Sequence, residues 1–143
     1  RVREIANYFN AEMVICDKHR KRANEIASMV VIGDVTGKDI VIIDDICDTG
    51  GTLAKSAALL KEKGARSVRA LITHPVLSGK AYENIENSVL EELVVCDTIP
   101  IRNECSKMKV ISVAELFAVA IRNAFENKSI TSLFIHSQRR QSL

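Results

Sequence analysis

Apolar positions along the chain fall into two kinds of run. Strand-like runs, rich in β-branched residues, occupy residues 11–16, 29–32, 39–43, 67–73, 93–96 and 109–111. Between several of them apolar residues recur at helical spacing. The sets are Val2, Ile5, Ala6 and Phe9; Leu53, Ala57 and Leu60; Ala81, Tyr82 and Ile85; and Val113, Leu116, Phe117, Ala120, Ile121, Ala124 and Phe125. Gly64 is a stop for the second helix, and Ser112-Val113-Ala114-Glu115 reads as a capping box opening the last. The run at 40–43 is continuous rather than alternating, as in a strand covered on both faces. Strands and helices at these intervals build βαβ units, so the predicted class is α/β, a three-layer α/β/α arrangement with a mainly parallel sheet. Gly33, Asp34 and Gly37 signal a turn, which predicts that 29–32 and 39–43 pair as a β-hairpin flap beside the sheet. The wide apolar stripe of the last helix reads as core or subunit contact, not as a cofactor site.

One stretch organises the rest: Val41-Ile42-Ile43-Asp44-Asp45-Ile46-Cys47-Asp48-Thr49-Gly50-Gly51-Thr52. A strand, a tight loop and a helix in succession place a helix N-terminus outside the carboxyl end of a parallel strand. Unpaired N–H groups and the positive end of the helix dipole converge there, so the loop can bind a phosphate without a basic side chain. Gly50 and Gly51 allow positive φ and close approach of an anion to the backbone. Asp44 and Asp45 would face one ligand only if the strand ended between them, since neighbours on a strand point to opposite faces. A phosphorylated, metal-bound sugar would satisfy the group, because its hydroxyls donate to carboxylates and Mg2+ prefers oxygen ligands. An ordinary βα-turn with acids at a helix start is the other reading, and spacing favours phosphate binding over it. A Walker loop is excluded, since Ala54 stands before Lys55 where that motif needs Gly.

Composition narrows the function classes. The 143 residues suit one domain, 1–143, and 47% hydrophobic with 27% charged residues marks a globular chain. A net charge of +2 and 4% aromatics argue against nucleic acid. No run approaches a membrane span and no signal peptide is visible, so neither membrane nor secretion is expected. Cys16, Cys47, Cys96 and Cys105 lack CxxC spacing and read as reduced thiols of a cytoplasmic protein, with Cys47 a small spacer in the central loop. The chain starts within a helical pattern without Met or a capping residue, which reads as a fragment.

Upstream, Asp17-Lys18-His19-Arg20-Lys21-Arg22-Ala23-Asn24-Glu25 shows neither period and reads as a basic loop after a strand. Such a loop is ordinarily a solvated turn, but its place at a strand's carboxyl end suits function. His74, in Thr73-His74-Pro75, also follows a strand; substrate contact and plain backbone hydrogen bonding both fit, and it stays outside the catalytic set.

Taken with this basic loop, the central segment resembles the phosphoribosyl pyrophosphate (PRPP) loop of type I phosphoribosyltransferases and, more closely, of ribose-phosphate pyrophosphokinases (PRPP synthetases). The resemblance covers nearly the whole chain, including Thr73-His74-Pro75, Asp97-Thr98-Ile99-Pro100 and the tail Lys128-Ser129-Ile130-Thr131-Ser132-Leu133-Phe134. It implies the C-terminal half of an enzyme that transfers pyrophosphate from Mg-ATP to ribose 5-phosphate, giving PRPP and AMP. Lys18 and Arg20 fall on the family's catalytic lysine and arginine. Arg20, Asp44, Asp45, Asp48, Thr49, Gly50, Gly51 and Thr52 fall on its ribose 5-phosphate site. Ser129 and Thr131 fall where hydroxyls hold regulatory phosphate or nucleotide, with phosphate or ADP as effectors. His19 and Lys21 depart from the commoner Arg and Pro. The resemblance also implies Mg2+, held mainly with ATP and the absent N-terminal half, no certain metal ligand in this chain, and a homo-oligomer, a hexamer at full length. The alternatives are a phosphoribosyltransferase, which should lack the basic loop and tail, and a non-catalytic synthetase-associated subunit, which would be free to lose the loop cations.

Overall fold

β-Branched runs and helical runs alternate in space as they do in sequence. The computed structural model describes the backbone of residues 2–22 and 25–134, and the side chains of these outside 18–28. In chain order the elements are α1 (Val2–Tyr8), β1 (Ile15–Arg22), β2 (Glu25–Ile32), β3 (Asp39–Cys47), α2 (Gly51–Glu62), β4 (Ser67–Pro75), α3 (Ala81–Glu86), β5 (Glu92–Cys96), β6 (Met108–Ile111) and α4 (Ala114–Phe125), then a 3-10 turn at Thr131–Leu133. They group into two compact units, Val14–Ile111 and the two ends of the chain taken together.

In the larger unit, β3, β4, β5 and β6 lie side by side in that order, all parallel. Sequential parallel crossovers of one hand put α2 and α3 on the same face. That face holds the core. Ala57 and Leu60 of α2 and Ala81 and Ile85 of α3 pack with Val68, Ala70, Ile72, Leu93 and Val95 of the sheet, nearly all fully buried. Burying a Leu or Ile side chain this completely contributes about 1.5–3 kcal/mol before entropy costs. The α/β class with a parallel sheet and flanking helices is as the sequence predicts. On the opposite face Val41, Leu71 and Ile111 are exposed, beside a charged row in which Glu92 pairs with both Arg69 and Lys109.

Three expectations are corrected. A hairpin is present, but its partners are β1 and β2, antiparallel with Cys16 opposite Val31 and Lys18 opposite Met29. The 39–43 run instead begins the parallel sheet. The basic stretch read as a loop is strand as far as Arg22, because ladder bonds to β2 outweigh the weak strand preference of Lys and Asp. Ala23 and Asn24 lie outside the described residues. Of the two readings of the α4 stripe, core and subunit contact, the structure leaves the second: none of the helix's residues is buried, and Phe125 is 88% exposed. The cap position of α4 is Val113 rather than Ser112, whose hydroxyl accepts the Ala114 N–H at 3.3 Å.

At the amino end of the sheet Asp39 accepts hydrogen bonds from Arg66 Nε at 2.8 Å and from Ser67 Oγ at 2.6 Å. The Arg66 guanidinium, and then the Ser67 hydroxyl, hold its carboxyl well below the usual range. A depressed folded pKa means stability present above the unfolded value near 3.9 and lost as pH falls through the folded one. Urea unfolding should therefore show Asp39→Asn less stable than wild type at neutral pH, with the gap closing as pH falls below about 3.

Candidate functional site

Strand β3 runs straight through the acidic pair to Cys47, paired with β4 from Asp39↔Ser67 to Cys47↔Pro75. Every second residue, Ile42, Asp44 and Ile46, lines a cavity of about 360 Å³ with Ile72 of β4. Asp45 points from the other face by alternation, and its N–H donates to Asp44 Oδ1 at 2.9 Å. The structure thus brings Asp44 to the cavity and does not bring Asp45.

The rest of the cavity wall is the loop and first turn of α2, from Cys47 to Leu53, with Lys55 and Ser56. Gly50 is the cap residue, left-handed at φ +71°, and no side chain caps the helix. Its carbonyl accepts the Ala54 N–H at 2.9 Å, so Gly51, Thr52 and Leu53 have N–H groups without an intrahelical acceptor. A Cβ at Gly50 would lie 3.2 Å from the Ala81 carbonyl oxygen and 3.3 Å from Ile85 Cγ1. The loop needs glycine here on both counts, conformation and space.

Cys47 is 4% exposed. Burial pushes its thiol up, the nearby Gly50 backbone N–H opposes this, and Asp44 and Asp48 add to the rise. The residue is a protonated spacer inside the turn. Among the described residues no cluster of three His, Cys, Asp or Glu can hold a metal. Mg2+ accepts one or two carboxylates with ligand oxygens and water, and Asp44 and Asp48 are the carboxylates on this wall that fit that role.

The chain matches the phosphoribosyl synthetase-associated domain family over residues 10–135. It belongs to that family. It is 53% identical over 135 residues to the ribose-phosphate pyrophosphokinase of Wolinella succinogenes, covering 94% of this chain and 44% of the relative. The Campylobacter jejuni enzyme of the same name is 52% identical over the same shares. Among solved structures the chain is similar to phosphoribosylpyrophosphate synthetase from Mycobacterium smegmatis, with TM-score 0.68 and 40% identity, covering 72% of this chain and 35% of that one. The chain spans under half the length of these relatives.

Within this family member, Lys18 and Arg20 lie on β1, their backbones opposite Met29 and Ile26; their side chains lie outside the described residues. Met29 anchors the hairpin to α2, its sulfur accepting the hydroxyl of Ser56 at 3.3 Å, on the cavity wall. Ser129 and Thr131 are in the smaller unit, where Ser129 Oγ donates to Thr131 Oγ1 at 2.8 Å and accepts the Thr131 N–H at 3.1 Å, opening the 3-10 turn. Sequence reasoning missed Lys55, one turn into α2. It also missed Ser78 and Asn84, which bond to the loop from behind: the Ser78 hydroxyl donates to Asp48, and Asn84 Nδ2 to the Thr49 carbonyl at 2.8 Å. Helical spacing from Gly51 to Lys55 was a usable signal; for Asn84 there was none.

His74 Nδ1 lies 2.9 Å from Thr98 Oγ1, whose only proton is donated to the Thr73 carbonyl at 2.8 Å. Neutral His74 must then donate from Nδ1 and present Nε2 as an acceptor. Nitrogen-15 NMR should find the Nδ1–H tautomer in wild type, and Thr98→Val should shift the balance toward Nε2–H. Gly50→Ala should destabilise by roughly 1–3 kcal/mol in urea unfolding. Gly37→Ala should cost less, since Gly37 shares the positive φ but has nothing within 4 Å of an added Cβ.

Proposed function

We propose that this chain is the ribose 5-phosphate-holding half of a ribose-phosphate pyrophosphokinase. The observation that carries the reading is the uncapped N-terminus of α2, opening onto a cavity with Asp44 on its wall. A phosphate monoester fits there because it accepts several N–H bonds and gains from the helix dipole. The hydroxyls of Thr49 and Thr52 add donors. Asp44, the member of the acidic pair on the cavity wall, accepts from the ribose hydroxyls and orients the sugar. Holding the acceptor in place removes an entropy cost worth about 7–11 kcal/mol in favourable systems.

In the parent reaction the 1-hydroxyl oxygen of ribose 5-phosphate bonds to the β-phosphorus of ATP, the bond from that phosphorus to the bridging α–β oxygen breaks, and AMP departs as the hydroxyl proton is released. Lys18 and Arg20, on the hairpin anchored beside the cavity, neutralise charge on the transferring phosphates. Mg2+ supplies further neutralisation when bound with ATP. Ser129 and Thr131 form a regulatory phosphate or ADP site, and the exposed stripe of α4 supports a homo-oligomer. A cytoplasmic location suits four cysteines that form no disulfide.

Titrating the 143-residue chain calorimetrically should give saturable binding of ribose 5-phosphate and none of a nucleobase added with PRPP; the reverse pattern would favour a phosphoribosyltransferase. The chain alone should form no AMP. In the full-length parent, Lys18→Ala should abolish AMP formation while ribose 5-phosphate affinity stays within about twofold. Survival of turnover would remove the lysine from catalysis.

A further inference from the structure

Four hydrogen bonds approach the 47–49 loop from the segment that follows β4. Leu77 N–H donates to the Cys47 carbonyl at 3.1 Å and Ser78 N–H to the Asp48 carbonyl at 3.0 Å. The Ser78 hydroxyl donates to Asp48 Oδ1, and Asn84 Nδ2 donates to the Thr49 carbonyl at 2.8 Å. Three consecutive carbonyls are therefore engaged by one neighbouring segment. A trans peptide holds its C=O and N–H on opposite sides. Tying the carbonyls of Cys47, Asp48 and Thr49 to this segment turns the N–H groups of Asp48, Thr49 and Gly50 away from it. Two of these ties come from backbone donors that any sequence could supply. The third depends on one side chain, and it fixes the peptide leading into the left-handed Gly50. Gly50 itself is pressed between that peptide and Ala81 and Ile85, on the helix that carries Asn84.

We infer that Asn84 is a positioning residue for the anion site: its amide holds the Thr49 carbonyl back, so the loop presents its amides to the phosphate in a fixed array. The inference rests on the loop being the phosphate site. Asn84 does not line the cavity. Its action is to spare a bound phosphate the cost of ordering the loop, so losing it should weaken binding of the phosphorylated end selectively.

The test titrates the 143-residue chain by nitrogen-15 NMR with ribose 5-phosphate and, separately, with unphosphorylated ribose. Asn84→Asp keeps the shape but sets an acceptor against the Thr49 carbonyl, Asn84→Ala removes the donor, and Asn84→Gln keeps it. Loss of one such bond predicts ribose 5-phosphate affinity lowered about 3- to 10-fold in the Asp and Ala variants. The ribose response should be unchanged, the Thr49 and Gly50 amide resonances displaced, and affinity recovered at least in part with Gln. A general loss of folding would depress both ligands together, so the ratio isolates the positioning effect; if Asn84→Asp does not fold, Asn84→Ala carries the same comparison. Wild-type affinity for ribose 5-phosphate in both variants overturns the inference. If wild type itself shows no saturable response to ribose 5-phosphate, the function proposed above fails instead. The brace is then judged on the Thr49 and Gly50 resonances, and their constancy in Asn84→Ala overturns it as well.

Discussion

A peptide unit cannot offer its carbonyl and its N–H in the same direction, and the turn from β3 into α2 is built on that restriction. The carbonyls of Cys47 and Asp48 are engaged by Leu77 and Ser78, and that of Thr49 by Asn84. The first turn of α2 carries no side-chain cap. Donors left over on the cavity side would cost free energy if nothing met them, since an orphaned N–H is paid for in desolvation. Water meets them in an open cavity, and a phosphate meets them better, because a charged acceptor strengthens each bond. The close contacts around Gly50 follow from the same geometry: a turn tight enough to free these amides leaves no space for a Cβ.

The length of β3 matters as much as its end. Because ladder pairing with β4 persists to Cys47↔Pro75, the strand alternation is still in force at Asp44 and Asp45, and the two carboxylates are sent to opposite faces. The repulsion that neighbouring acids would suffer on one face is relieved by that separation and by the Asp45 N–H that Asp44 accepts. Of the adjacent pair, only Asp44 is left on the cavity wall.

Much of this was legible in the residues. Apolar β-branched runs and period-3.6 patterns located each strand and helix of the parallel sheet, and two glycines after an apolar strand located the site. What was lost had a physical cause in each case. The run at 29–32 has the same apolar character whichever strand it pairs with, so sequence could not choose β1 over β3. Lysines and an aspartate hid strand β1, since pairing rather than propensity makes it a strand. The stripe of α4 announced an apolar face correctly but not what meets it, and among the described residues nothing buries it. Asn84 reaches a carbonyl 35 residues away, a contact that only the fold creates.

Charge accounts for why the family's basic strand belongs beside this cavity. The wall carries two carboxylates, Asp44 and Asp48, against one lysine, Lys55. A helix N-terminus contributes roughly half a positive charge. A phosphate monoester brings about 1.5 to 2 negative charges, so the filled cavity is left with a clear negative excess. Amide donors fix where a phosphate sits, yet they cannot balance that much charge. Cations must come from outside the wall, and Lys18, Arg20, Lys21 and Arg22 stand together on the strand whose partner, through Met29, is fastened to α2.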